Sequence, residues 1–402
     1  MVQKDLTLIR EGSAEFYIYK VDKESTPSKS MNVFYNKSME INRDISNLCI
    51  NAYKDLFNQE ELIIVDSMAA SGVSAIRMIK ECANIKKIYI NDINPEAVEL
   101  IKKNMVLNNL HKHFIQSVVT HKDANLLFSE IASLGEKKPN IISIDPFGTP
   151  NLYLDSAFKT LQKDNGLMCV TATDTAVLFG VRPDACIRKY LSKPLHTEYC
   201  KEIGARILIY FASRIANINN LGIIPLLTFY SSHFIRLFCL SFKNKKDISK
   251  FYDKFGFIIH CKICGYRSAY SNNILNLPKD CPVCDNIGTL DYAGPLWNGK
   301  LHDVNLVNKI FSLNNRSQFS KKKRIEKLLN YILEEIDMPI SYYNIHKLCQ
   351  KLKLQSVPKI NEIIKEIKKL GYKASRTHFD FLSIKSDLDL PKIKNILFEI
   401  QN

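Results

Sequence analysis

The sequence predicts an α/β protein with three parts: a Rossmann-like domain, a four-cysteine element and a smaller C-terminal α+β domain. Three observations carry this. Strand-length apolar runs alternate with helical patterns from about residue 45 to 242. Two C-x-x-C pairs follow, at 261–264 and 281–284. A Lys-rich region of helical periodicity then fills 321–372. At 402 residues the chain exceeds one ordinary core, so several domains are the default. The shifts in composition draw boundaries at 1–256, 257–300 and 301–402.

Taken in order, residues 1–45 are mixed, and the alternation in "AEFYIYKV" reads as strand. The start "MVQKDLTLIR" lacks the apolar run of a signal peptide. Next, "ELIIVDS" reads as strand and "GVSAIRMIKECA" as helix. The same alternation continues through "KKIYINDIN", "PEAVELIKKNMVLN", "NIISIDPF", "LYLDSAFKTLQKDNG" and "LMCVTATD". That spacing means a parallel sheet with right-handed crossovers, whose ligands bind beyond the carboxyl ends of its strands. Segment 221–242 is apolar but broken by Pro225, His233 and Arg236, so it reads as core strands and not as a membrane span. The expectation is a soluble cytoplasmic protein with reduced cysteines.

Beyond residue 320, "KKKRIEKLLNYILEEI", "SYYNIHKLCQKL" and "SVPKINEIIKEIKKLG" pattern as three helices, and "YKASRTHFDFLSIKS" as a hairpin. A winged-helix order and a plain helical cap fit this pattern alike. The 56 Lys and Arg against 41 Asp and Glu give a net charge of +15. That excess suits a polyanionic partner such as nucleic acid, although a generally basic composition explains it as well. In "KKKR" the cations would meet phosphates or simply solvent.

Four acids fall at expected strand ends. Asp66 ends "LIIVD" before the small residues "SMAASG", which let backbone approach a ligand closely. Asp92 ends "IYIND", where a carboxylate accepts from both ribose hydroxyls or caps the next helix. Asp123 in "HKDAN" stands where an adenine amino group would arrive, or is solvated. NAD and S-adenosylmethionine both fit this series. The fourth acid separates them. "DPF" at Asp145, Pro146 and Phe147 is similar to the (Asp/Asn)-Pro-Pro-aromatic motif of methyltransferases acting on exocyclic amines. Such an amine is a poor nucleophile because its lone pair is delocalised into the ring. A carboxylate and backbone carbonyls accept its N–H bonds and aim the lone pair, and the aromatic ring stacks on the base. The alternative is a strand-capping acid with Phe147 packed inside.

The stretches "EGSAEFYI", "VFYN", "INRDIS", "DSMAASGVSAIR", "NDINPEAV", "IDPFGTP", "VTATDTAVLFG", "CIRKY", "GPLWNG" and "SRTHFD" together resemble the tRNA (guanine-N2)-dimethyltransferases that modify position 26 of tRNA, the Trm1 family. They run over nearly the whole chain. The resemblance implies methylation of guanine N2 twice over, with S-adenosylmethionine as donor and tRNA as partner, held by the basic C-terminal domain, residues 301–402. It puts Arg43 near the methionine carboxylate, Arg77 beside the loop, Asp92 on the ribose, and Asp123 with Ala124 at the adenine. It makes Asp145 the residue that orients the amine, with Phe147 and Phe34 sandwiching the base. The sequence departs from the family at Ser74, where an arginine is usual, so that contact is lost or moved to Arg77. It departs again at Lys37, where a proline is usual. No role follows for Arg376 or His378 of "SRTHFD".

The two C-x-x-C pairs, Cys261 with Cys264 and Cys281 with Cys284, have the spacing of a four-thiolate structural zinc site. An iron–sulfur cluster is the weaker alternative. The seven other cysteines read as small buried hydrophobes. No membrane association and no obligate protein partner is expected. Two rival functions stand beside the main one: an amine methyltransferase of rRNA guanine or DNA adenine, and a catalytically inactive zinc-ribbon RNA-binding protein. A NAD enzyme is third, because the loop lacks the glycines.

Overall fold

The computed structural model describes residues 6–20, 31–110, 115–271 and 277–400. An N-terminal hairpin, β1 (Leu6–Glu11) and β2 (Ala14–Tyr19), precedes α1 (Glu40–Leu56). The alternating region follows: β3 (Leu62–Asp66), α2 (Val73–Glu81), β4 (Ile85–Asp92), α3 (Pro95–Leu107), β5 (Gln116–His121), α4 (Ala124–Ser133), β6 (Ile141–Ile144), α5 (Leu154–Thr160) and β7 (Leu167–Ala172). Then come α6 (Thr175–Leu178), α7 (Pro183–Tyr190), α8 (Cys200–Ile218), β8 (Gly222–Ser231), β9 (Phe234–Phe242) and α9 (Lys245–Lys250).

The main sheet has the order β5-β4-β3-β6-β7-β9-β8. Strands β5 to β7 are parallel, and β9 and β8 add antiparallel at one edge. The order reverses between β3 and β6, which opens a crevice at their carboxyl ends. Strands β3, β6 and β7 are buried along their whole length, as their unbroken apolar runs require when helices cover both faces. One face packs on α4, α5 and α8 through Phe128, Phe158, Ile203 and Leu208. The other packs on α1 and α2 through Ile45, Leu48, Ile76 and Ile79. Each such side chain contributes roughly 1.5–3 kcal/mol by burial. Segment 221–242 forms β8 and β9 inside the sheet. Among the described residues no helix is long and apolar enough to cross a membrane.

The cysteine element is a three-stranded sheet of order β11-β10-β12, from β10 (Phe255–Cys261), β11 (Arg267–Ser271) and β12 (Leu290–Trp297). Two helices come next, α10 (Val304–Arg316) and α11 (Lys322–Glu335). Their Leu306, Ile310, Ile325 and Leu329 belong to the same core cluster as α1 and α2. The boundary drawn at 301 therefore divides residues that share one core. A separate cluster starts at Tyr343. It is built on β13 (Tyr343–Asn344), α12 (Ile345–Lys351), α13 (Ile360–Lys369), β14 (Ala374–Arg376), β15 (Ser383–Ser386) and α14 (Leu390–Glu399). With α11 in front, this is the winged-helix order, and its sheet runs β13-β15-β14. "SYYNIHKLCQKL" opens as a short strand and not as helix, because Tyr343 and Asn344 pair with β15.

Candidate active site

A cavity of 1140 Å³ lies at the carboxyl ends of β3, β4 and β6, where the strand order reverses. Its wall includes Phe34, Arg43, Asp66, Asp92, Asp123, Ala124, Asp145, Pro146 and Phe147. Parallel register brings the acids together. Asp66 pairs with Ser143, two residues before Asp145, and with Ile90, two residues before Asp92.

The loop after β3 is shaped by its neighbour. Ala70 has a left-handed φ of 47°, and its N–H donates to Asp92 Oδ2 at 2.7 Å. Asp92 Oδ1 accepts from Asn94 N at 2.8 Å. Asp92 is thus not the cap of α3; Asn94 is, accepting from Glu96 N at 2.9 Å. Asp123 does cap its helix, with Oδ1 accepting from the N–H groups of Asn125 and Leu126. Its other oxygen makes no hydrogen bond among the described residues.

Asp66 is buried, and its Oδ2 has no hydrogen-bond partner among the described residues. Burial pushes its carboxyl up to about 7; the charge of Asp145 adds to this and Arg236 opposes it. Arg236 was missed by the sequence reading. It rises from β9 and lines the cavity, donating to Thr171 Oγ1 at 2.7 Å, to Ser46 Oγ at 3.3 Å and to Ser143 Oγ at 3.4 Å. His233, in the turn before β9, also lines the cavity. In the sequence both residues only interrupt an apolar run, which hides their direction.

Asp145 makes no hydrogen bond among the described residues, so its acceptors are open. Phe147 is 46% exposed and not packed inside, which removes the strand-cap alternative. Behind it, Gly148 N donates to Thr173 Oγ1 at 2.6 Å and Thr173 N to Gly148 O at 2.9 Å. Gly148 sits at φ 93°, a conformation that favours glycine. Thr149 Oγ1 donates to Tyr190 Oη at 3.2 Å, which donates to Asp174 Oδ1 at 2.9 Å. The "TATD" and "CIRKY" stretches thus hold the "DPFGTP" turn. The rings of Phe34 and Phe147 meet edge to face with centroids 4.6 Å apart. A base between them needs about 7 Å, two stacking distances, so the rings must part to admit one.

Arg43 donates bidentately to Glu11, at 2.6 and 2.7 Å, which leaves Nη1 without a hydrogen bond among the described residues. Arg77 does not line the cavity. It is 0% exposed and bonded to Glu11, Asp44 and Glu81 at 2.6–3.0 Å. Its place on α2 turns it away from the loop towards α1 and the β1–β2 hairpin. It cannot take over the contact missing at Ser74, which itself faces the cavity. Lys37 opens a short 3-10 turn capped by Asn36 Oδ1.

The donors fit S-adenosylmethionine. An orphaned buried carboxylate oxygen on Asp66 suits an ammonium, and Arg43 Nη1 suits a carboxylate, its Nη2 being taken by Glu11 and Asn36 O. Asp92 and the open oxygen of Asp123 suit hydroxyls and an amino group.

The four cysteines converge separately. Cys261 and Cys284 Sγ are 3.7 Å apart, and Cys264 and Cys281 Sγ 3.5 Å. A tetrahedral zinc with Zn–S of about 2.3 Å has edges of about 3.8 Å. Tyr266 N donates to Cys264 Sγ at 3.3 Å, a bond that orients a thiolate ligand. A second grouping, His302, Glu335 and His378, is buried. There Lys385 lies 3.2 Å from Glu335 and 3.0 Å from Glu202, and Thr377 Oγ1 donates to Glu335 at 2.7 Å. The carboxylates are already neutralised, so this is a latch between α8, α11 and β15, not a cation site. His378 of "SRTHFD" belongs to it.

A family described as TRM: N2,N2-dimethylguanosine tRNA methyltransferase matches residues 13–398. The chain is 36% identical over 397 residues to a tRNA (guanine(26)-N(2))-dimethyltransferase of Methanosphaera stadtmanae, covering 99% of this chain and 98% of that one. It is 33% identical over 390 residues to the protein of the same description from Methanothermobacter thermautotrophicus, covering 97% and 98%. Among solved structures it is similar to Trm1 from Pyrococcus horikoshii in complex with S-adenosyl-L-methionine, with a TM-score of 0.82, 31% identity and coverage of 98% and 100%.

Proposed function

The chain belongs to the N2,N2-dimethylguanosine tRNA methyltransferase family and methylates N2 of guanine 26 in tRNA from S-adenosylmethionine; for the residues that do this, we propose the following roles. The observation that carries them is the Asp145 carboxylate, unpartnered among the described residues, beside exposed Phe147 and in one cavity with Asp66, Asp92 and Asp123.

When bound, S-adenosylmethionine supplies an electrophilic methyl group on a sulfonium. Arg43 and Asp66 hold its amino-acid end, Asp92 the ribose, and Asp123 with Ala124 the adenine. Asp145 accepts one N2–H of guanine, and the Pro146 carbonyl is the second acceptor. Together they turn the nitrogen lone pair out of conjugation and toward the methyl. Asp145 is placed to take the proton that the amine sheds. Phe147 stacks on the guanine, and Phe34 swings to cover its other face. After the first transfer one N–H remains, so Asp145 still has a donor to orient. The four cysteines hold a structural zinc, since four protein ligands leave no open position. A tRNA substrate supports a cytoplasmic location.

The test is methyl transfer from labelled S-adenosylmethionine to an unmodified tRNA transcript, with nucleoside analysis. Methylated guanosine that vanishes with Asp145→Ala, and with a transcript lacking guanine at position 26, is the expected result. Full activity in Asp145→Ala would remove the proposed role of the acid.

A further inference from the structure

Helix α11 carries more than its basic start. Of the run "KKKR", Lys321 pairs with Glu40 at 3.6 Å, Lys322 donates to Asn315 O, and Arg324 donates to Ser231 Oγ at 3.2 Å. Lys323 alone of the four has no partner among the described residues. Lys323, Lys327 and Tyr331 recur at every fourth position and so share one face. The Arg324–Ser231 bond fixes one end of that face beside His233 of the catalytic cavity. Seven residues on, about 10 Å along the helix, Tyr331 meets Phe381 of the β14–β15 turn, with ring centroids 5.7 Å apart.

Cations surround these two rings. Lys327 Nζ is 5.1 Å from the Phe381 centroid and 5.8 Å from that of Tyr331, and Arg376 Cζ is 5.7 Å from that of Tyr331. Arg376 is held in place by Asn361 Oδ1, at 3.2 Å from Nε and 2.9 Å from Nη2, and its Nη1 is free among the described residues. Phe381 is 52% exposed. A groove of 530 Å³ runs beside it, past His346 and Pro358. Glu362 lines that groove and faces Lys359 at 4.0 Å. Lys327 has no carboxylate partner among the described residues. Residues 301–402 hold 19 Lys and Arg against 11 Asp and Glu, about half of the net charge in a quarter of the chain.

We propose that Phe381 and Tyr331, with Lys327 and Arg376, form a second RNA-contact site. An unpaired base of the tRNA stacks on Phe381, and adjoining phosphates sit on Lys327, Arg376 and Lys323. An apolar protein segment fits poorly there, because it would strip water from two cations without replacing their counter-charge. The proposal rests on tRNA being the substrate.

The experiment measures the affinity of an unmodified tRNA transcript, steady-state kinetics and S-adenosylmethionine affinity for wild type and for Phe381→Ala, Phe381→Leu, Phe381→Trp and Lys327→Gln. The expected result is roughly tenfold weaker tRNA binding with Ala and with Leu, and recovery with Trp. The turnover rate at saturating tRNA and the cofactor affinity stay unchanged. Lys327→Gln lowers the salt slope of log affinity by about one. Wild-type affinity in Phe381→Leu, or an unchanged salt slope in Lys327→Gln, overturns the stacking site. Wild type that binds no tRNA at all overturns the functional reading instead.

Discussion

Asp66 and Asp145 line one cavity in opposite surroundings. Asp66 is buried with its carboxyl near 7, whereas Asp145 stands open beside an exposed ring. The raised carboxyl of Asp66 binds a proton in the folded state between its ordinary value of 3.8 and about 7, where the unfolded chain has lost it. Ligand-free stability therefore falls as pH rises through that window, by up to about 4 kcal/mol. Thermal melts should show Asp66→Asn gaining on wild type from pH 4 to 7. A cationic ligand favours the ionised acid, so wild-type affinity for S-adenosylmethionine should rise through pH 7 and stay flat in Asp66→Asn. Asp145→Asn should lower kcat roughly 10²- to 10⁴-fold without weakening the cofactor, checked by single-turnover rates and calorimetry. Arg77→Ala should cost about 3–5 kcal/mol in denaturant melts, because it strands the buried Asp44 and takes a cation from Glu11 and Glu81. The strand-end acids were legible because parallel strands all end at one edge. Arg77 was misjudged because nearness to the loop in sequence does not say which face of α2 it takes.

At the level of elements, periodicity located the strands and helices of the alternating region because burial on both faces forces long apolar runs. Turn chemistry was less visible. "DPFGTP" shows an acid and a ring, but not that Thr173, Tyr190 and Asp174 brace the turn from other segments. Gly148→Ala meets no atom within 4 Å yet must hold a left-handed φ. It should cost about 1–2 kcal/mol and lower kcat by misplacing Phe147. The cysteine spacing was informative because two-residue gaps wrap one ion. Cys281→Ser should release the metal, measured by elemental analysis, and lower the melting temperature while cofactor binding persists. Arg267, on β11 of that element, lies between the rings of Tyr199 and Tyr343 at 4.6 and 4.3 Å. The element thus ties α8 to the C-terminal cluster.

Across the whole molecule, composition divided the chain where packing does not. The change to Lys-rich sequence after residue 320 marks a change of surface, whereas α10 and α11 still bury their apolar faces against α1 and α2. A chain ending at residue 340 keeps both helices but loses Lys385 of the latch and Tyr342 and Phe379 of the first core, so it should melt lower, still bind S-adenosylmethionine and lose at least tenfold in tRNA affinity. One ending at residue 303 should expose the core against α1 and α2 and aggregate. Both are checked by light scattering and filter binding. Because α11 is built into the catalytic core, the distance from the cavity to its far end is fixed by the rise of a single helix. The molecule is thereby a caliper. Lengthening or shortening the tRNA arm that joins the two contact points should move the methylated nucleotide or abolish methylation, whatever bases fill the arm.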